Sequence, residues 1–184
     1  MDHVNRLSRL TIGLHWLIAV TMIGLIIIGL VMANFEGYDY YEIHKSIGIL
    51  ISGIIVIRVV WRIWQGWPEP VSDYAKHEIL LAKVVHWVLI VSTVAMPISG
   101  MMYSGASGHG FGIFGFHILS ENPDPLKLGE VIPLSEFWSN VGQTLHEYIG
   151  YLLILAIVLH VAGALKHHLI DKDATLLRML GKNK

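Results

Sequence analysis

The chain contains no cysteine. That excludes disulfides, iron–sulfur clusters, thiolate metal ligands and the C-x-x-C-H attachment of covalent haem. Any haem is therefore held noncovalently. Charge is scarce as well: Asp, Glu, Lys and Arg make up 15% of the 184 residues, against roughly a quarter in soluble domains. The start lacks the marks of a cleaved signal. Its first apolar run follows Arg6 and Arg9, is longer than a typical signal core, and has no A-x-A-like site after it. Nucleic acid is not among the expected partners; the lipid bilayer is.

What is present is apolar. Hydrophobic residues make up 54% of the chain and concentrate in runs at 10–33, 46–64, 79–103 and 145–165. Each is about long enough to cross ~30 Å of hydrocarbon as a helix. The expected fold is all-α, an integral membrane four-helix bundle, one domain over 1–184 with helices at about 10–33, 42–64, 75–103 and 141–169. Trp61, Trp64 and Trp67 suit the headgroup level. Pro68 and Pro70 then break the chain, and Ser72 or Asp73 is placed to cap the third helix. Residues 104–143 read as a long connection, a length usually tied to function.

Basic residues sort by side. Eleven of the thirteen lysines and arginines lie in the amino terminus, the 58–83 connection and the carboxyl tail, including Arg6, Arg9 and Lys184. The other side holds only Lys45 and Lys127, with eight acids: Glu36, Asp39, Glu42, Glu121, Asp124, Glu130, Glu136 and Glu147. The positive-inside rule assigns both termini to the cytoplasm.

Buried imidazoles need partners, and four of the eleven histidines fall at matched depths. His44 and His146 lie near the outer side, His15 and His160 toward the cytoplasm. His146 and His160 are fourteen residues apart on one helix, which is ~21 Å of rise and within about 40° of one face. Two bis-histidine sites stacked across a bilayer are the arrangement expected for two b-type haems, each porphyrin needing only two axial imidazoles. Gly13, Gly48, Gly150 and Gly163 stand near these histidines and would let a flat ring approach the backbone. Other readings compete. Membrane histidines also serve packing or proton relays, and a zinc site would want carboxylates or a third histidine at the same depth. Arg58 and Arg62 fall on the His44 face of the second helix, suited to haem propionates or to ordinary positive-inside anchoring.

Several stretches resemble the bacterial cytochrome b561 family: "GLHWL" at 13–17, "EIHKSIGI" at 42–49, "RVVWR" at 58–62, "AMPISG" at 95–100, "LHEYIGY" at 145–151, "LHVAGALKHH" at 159–168 and "DKDATLLRM" at 171–179. The resemblance covers nearly the whole chain. It implies a four-helix cytochrome of the bacterial inner membrane with two haem b groups and His15, His44, His146 and His160 as axial ligands. One branch of that family is a superoxide oxidase that passes electrons from superoxide through both haems to ubiquinone. By that resemblance His167 is tied to quinone chemistry, and His86 matches a family histidine near the inner haem.

The acidic outer face departs from a superoxide site, since an anion is focused by positive potential. Lys45, beside His44, is the candidate local funnel. Three functions follow as expectations. The first is an oxidoreductase that moves electrons from a periplasmic one-electron donor to membrane quinone. The second is a haem b membrane subunit fed by a periplasmic dehydrogenase or hydrogenase. The third is a haem-free four-helix transporter or scaffold.

Overall fold

The computed structural model describes residues 7–35, 37–68 and 70–182; Arg6, Glu36 and Lys184, counted above among the charges, lie outside them. Four long helices, α1 (Arg9–Phe35), α2 (Tyr41–Gln65), α3 (Lys76–Ala106) and α4 (Glu136–Leu169), carry most of the chain. All four are long and apolar enough to cross a membrane. Many of their residues are β-branched, a poor choice for helix in water. In hydrocarbon the helix satisfies every backbone group internally, and that requirement overrides propensity. A 3-10 turn (Tyr38–Tyr40) joins α1 to α2, strands β1 (Phe111–Ile113) and β2 (Phe116–Leu119) lie between α3 and α4, and a short α5 (Thr175–Met179) follows α4.

The large apolar side chains point mainly outward, as at Val20, Val56, Ile63, Leu80 and Val158, all more than half exposed. Such a surface is matched to lipid rather than water. The buried core is small: Ile18, Met22 and Leu25 of α1, Ile51 and Ile55 of α2, and Leu153 of α4. α4 packs closely along α3, and α2 contacts both α1 and α3. The close α3–α4 approach depends on Gly142, where a β-carbon would stand 2.5 Å from the Tyr103 backbone nitrogen.

The 104–143 stretch is more ordered than a loop. α3 continues to Ala106, and β1 pairs antiparallel with β2 through a turn at Phe114 and Gly115. Both turn residues have positive φ, 43° and 86°, the combination that matches strand twist in a two-residue hairpin. The hairpin is fastened to the bundle: Phe114 N–H donates to the buried Ser46 Oγ at 2.8 Å, and Ser104 Oγ donates to Gly110 O at 2.5 Å. α4 starts at Glu136, earlier than its apolar run, because Ser135 Oγ accepts from Trp138 N–H and Glu136 complements the helix N-terminus. Neither Ser72 nor Asp73 caps α3; Ala75 holds that position without a side-chain bond.

Gly142→Val should push α4 from α3 and cost about 1–3 kcal/mol, the usual penalty of overpacking. Thermal unfolding in detergent, followed by helical circular dichroism, measures it. An unchanged midpoint would show that the helices do not need this contact.

Candidate functional site

The four depth-matched histidines come together as two pairs on α4. His44 and His146 have ring centroids 6.1 Å apart with planes at 77°; His15 and His160 are 6.2 Å apart at 65°. The first pair lies toward the hairpin end of the bundle, the second toward the end bearing α5. Leu153, seven residues from each α4 histidine, is fully buried between them, packed with the core of α1 and α2. All four imidazoles are half-buried.

His146 is oriented by α3. Pro97 sits inside that helix, and the residues flanking it receive the ring. His146 Nδ1 lies 3.0 Å from Met96 O and 3.2 Å from Ser99 Oγ. The carbonyl can only accept, so Nδ1 carries the proton and Nε2 keeps its lone pair. Donation from the second nitrogen to a carbonyl is the usual way a ligating histidine is held. Gly100 makes room, since a β-carbon there would stand 3.0 Å from His146 Cε1. His44 Cε1 lies 3.5 Å from the corresponding point on Gly29, while His44 Nδ1 is buried without a hydrogen-bond partner. Sequence reading missed Gly29, Ser99 and Gly100 as site residues. The signal was present in "AMPISG" but silent without the helix pairing.

At the other pair, Arg58 Nη2 donates to His15 Nδ1 at 3.0 Å. A guanidinium has no acceptor, so here His15 Nδ1 is unprotonated. Arg62 bonds Gly66 O at 2.8 Å and closes the end of α2. His86 of α3 lies 5.2 Å from the His160 ring and stacks with Trp67 at 6.3 Å and 27°. A third histidine therefore stands beside this pair, the feature a zinc site would want. Its donor atoms do not join the others, for the convergent His/Asp/Glu group found among the described residues is His167, Asp171 and Asp173.

His167 belongs to that separate polar network. Its Nδ1 is 2.8 Å from Asp171 Oδ2 and 3.3 Å from Asp173 Oδ2, and its ring lies 4.6 Å from Tyr74. Tyr74 O–H donates to Asp173 Oδ2 at 2.7 Å, and Lys166 bridges Glu78 and Asp171 at 2.8 Å each. Hydrogen bonding from Lys166 holds the Asp171 carboxyl below its ordinary value. Burial pushes the Asp173 carboxyl up, but bonds from Tyr74 and Thr175 and the nearby His167 outweigh it, leaving it lowered. Burial and the Asp173 contact push the Tyr74 phenol up. Tyr74 carried no signal in the sequence, and Asp173 stood only as part of the quoted "DKDATLLRM", with no role attached.

Lys45 is less available than its position beside His44 suggests. Its ammonium lies 4.5 Å over the Tyr41 ring and 3.7 Å from Glu42 Oε2, with 13% of the side chain exposed.

A helical membrane bundle with facing imidazole pairs is the architecture of a membrane cytochrome b, and comparison with known proteins agrees. Residues 6–182 match the family described as prokaryotic cytochrome b561, and the chain belongs to it. It is 35% identical to cytochrome b561 homolog 2 of Escherichia coli (strain K12), over 97% of this chain and 93% of that one. It is 30% identical to a protein of Yersinia pestis named probable superoxide oxidase CybB, over 98% of both. This is a multi-pass membrane protein of an electron-transfer family, and membership implies haem b.

The residues present fit such a group. Two imidazoles on opposite sides of one metal, each nitrogen about 2 Å from it, place their ring centroids about 6 Å apart. Both pairs have that spacing, whereas the 5.2 Å between His86 and His160 is too short for it. The orphaned His44 Nδ1 and the Gly100 cradle point the same way.

The lowered carboxyls give the α5 end a defined pH response. Their stabilisation is complete above the unfolded value of about 3.9 and is lost as pH falls through the lower folded values. Acidification below about pH 3.8 should release the segment after Leu169. Asp173→Asn should loosen it already at neutral pH. Limited proteolysis of the tail with an acid-active and a neutral protease reads both, and a tail equally protected in every case would contradict the assignment.

Proposed function

We propose that the chain is a single-domain transmembrane electron carrier holding two haem b groups, one between His44 and His146 and one between His15 and His160. It connects a periplasmic one-electron donor to membrane ubiquinone. The observation that carries this reading is the pair of equal imidazole spacings, 6.1 and 6.2 Å, stacked on one helix. The charge asymmetry supports the orientation: termini in the cytoplasm, hairpin in the periplasm, in the bacterial inner membrane.

Bound haem b supplies reversible one-electron chemistry, its potential set by axial ligands and burial. The chain's residues do the rest. Met96 O and Ser99 fix the His146 ring, and Gly29 and Gly100 leave room around it and His44. Arg58 and Arg62 would answer the anionic propionates; with Arg58 turned away from His15, the ring's single proton would sit on Nδ1 instead of Nε2, leaving Nε2 as the atom to hold the iron. Leu153 and its neighbours keep the space between the pairs dry. Quinone reduction consumes protons, and His86, beside His160, and His167 are the residues proposed to serve it. His167 is hydrogen-bonded to exposed Asp171, which gives it contact with bulk water.

The name of the Yersinia pestis relative supports superoxide as donor. A second reading, a periplasmic redox protein such as a dehydrogenase or hydrogenase, is favoured by the eight outer acids and by Lys45 being held by Tyr41 and Glu42. Superoxide mixed with pure protein and a ubiquinone analogue separates them. Haem reduction at background, together with reduction by a co-purifying periplasmic protein, would rule out superoxide.

A dithionite-reduced difference spectrum should show b-type bands and two haems per chain. His160→Ala should lose one of them and retain the other. Loss of both, or of neither, would undo the pairing; a wild-type spectrum without haem would leave only a transporter or scaffold.

A further inference from the structure

Trp16 follows His15 directly, and the two rings lie edge to face at 5.4 Å and 70°. The indole N–H reaches 163 positions along the chain to donate to Met179 O at 2.9 Å. Met179 is the last residue of α5, so its carbonyl is one of those a helix end leaves without an intrahelical partner. One turn before Trp16, Ile12 Cδ1 lies 3.7 Å from where a β-carbon on Gly181 would stand. Two of the quoted signature stretches, "GLHWL" and "DKDATLLRM", are therefore in contact.

α5 has five residues, far too few to hold a helix alone in water. Its other end is fixed by the buried Asp173. Asp173 Oδ1 accepts from Thr175 N–H at 2.8 Å, Asp173 N–H donates to His167 O at 3.1 Å, and Tyr74 O–H is 3.1 Å from Thr175 Oγ1. The tail thus runs from the foot of α4 to the foot of α1, the two helices that present His160 and His15. Among the described residues the backbones of α4 and α1 approach each other little, and the two helices meet through the central core layer and the His15/His160 pair. Between them the tail is a fixed brace, and its grip on α1 is the indole beside His15.

We propose that Trp16 is a positioning residue for His15 and that α5, through Met179 O, is a working part of the His15/His160 site. With Arg58 turned to the propionates, the clamped indole is what limits rotation of the His15 ring. Ring orientation is one of the levers by which axial ligation tunes a haem. The tail therefore sets the ligand field of the haem at this pair and leaves the one at His44/His146 alone. This rests on the two-haem reading above.

The test uses full-length, haem-loaded protein in three variants: Trp16→Phe, a chain ending at Ala174, and both together. Low-temperature EPR and a redox titration resolve the two haems. Trp16→Phe and the truncation should each shift the g-values and midpoint potential of one haem, the one lost in His160→Ala, with the other unchanged. Because both remove one contact, the combined variant should shift no further than the truncation alone. Ser99→Ala should do the reverse and shift only the haem retained in His160→Ala. Trp16→Phe should also increase cleavage of the tail by protease, a readout independent of haem. Two haems present with the His15/His160 signal unmoved, or both signals moving equally, would overturn the inference alone. Absence of haem in the wild-type protein would overturn the functional reading and this inference with it.

Discussion

An imidazole placed in hydrocarbon must have its nitrogens answered, because no water is there to do it. Four imidazoles in one small bundle make that requirement the plan of the molecule. The helices cannot close on a continuous apolar core, since the space facing α4 above and below Leu153 is given to histidines. The buried core accordingly shrinks to one central layer from α1, α2 and α4. The rest of the cohesion is displaced to α3 and α4, where Gly142 brings backbones together, and to the two ends, where the hairpin and α5 fasten the helices.

The two imidazole pairs are alike in spacing but not in support. His146 is set by a carbonyl and a hydroxyl of α3, neutral groups that fix the tautomer and leave one lone pair free. His15 is set by a cation, and the guanidinium of Arg58 leaves Nδ1 bare. A carbonyl partner makes a ligand electron-rich, whereas a nearby positive charge favours the reduced state of whatever the ligand holds. Under the function proposed above, with a haem at each pair, this asymmetry would favour electron flow from the His44/His146 end toward the His15/His160 end. That is the direction expected of a chain delivering electrons to quinone near the cytoplasmic side.

Much of this was legible in the sequence because a bilayer is a strong constraint. Apolar run length gave the four helices, and the fourteen-residue spacing of His146 and His160 gave the stacked pairs, both from helix geometry alone. What was not legible depends on which helix lies beside which. Gly100 and Ser99 matter only once α3 is known to lie against His146. The resemblance put His86 near the inner haem, but only the packing of α3 shows its ring beside that of His160. The hairpin was hidden because its turn uses Phe114 at positive φ, where Asn, Asp or Gly is the usual signal. The start of α4 was misplaced because hydropathy marks where a helix becomes apolar, while Ser135 marks where it begins.

Lys45 shows how packing changes the meaning of a charge. In the sequence it is a lysine beside a ligand on an acidic face, the natural place for an anion to be drawn in. In the fold its stem is covered, its ammonium sits over Tyr41, and Glu42 offsets its charge. A cation so engaged still fixes Tyr41, whose hydroxyl is 3.1 Å from Ser104, and Ser104 in turn holds the base of the hairpin at Gly110. Among the described residues the lysine's own contacts stay within α2, and it is Tyr41 that joins α2 to α3 and the hairpin near His44. The acids of that face outnumber its two lysines eight to two, giving a field that repels anions and draws in cations or a basic protein surface.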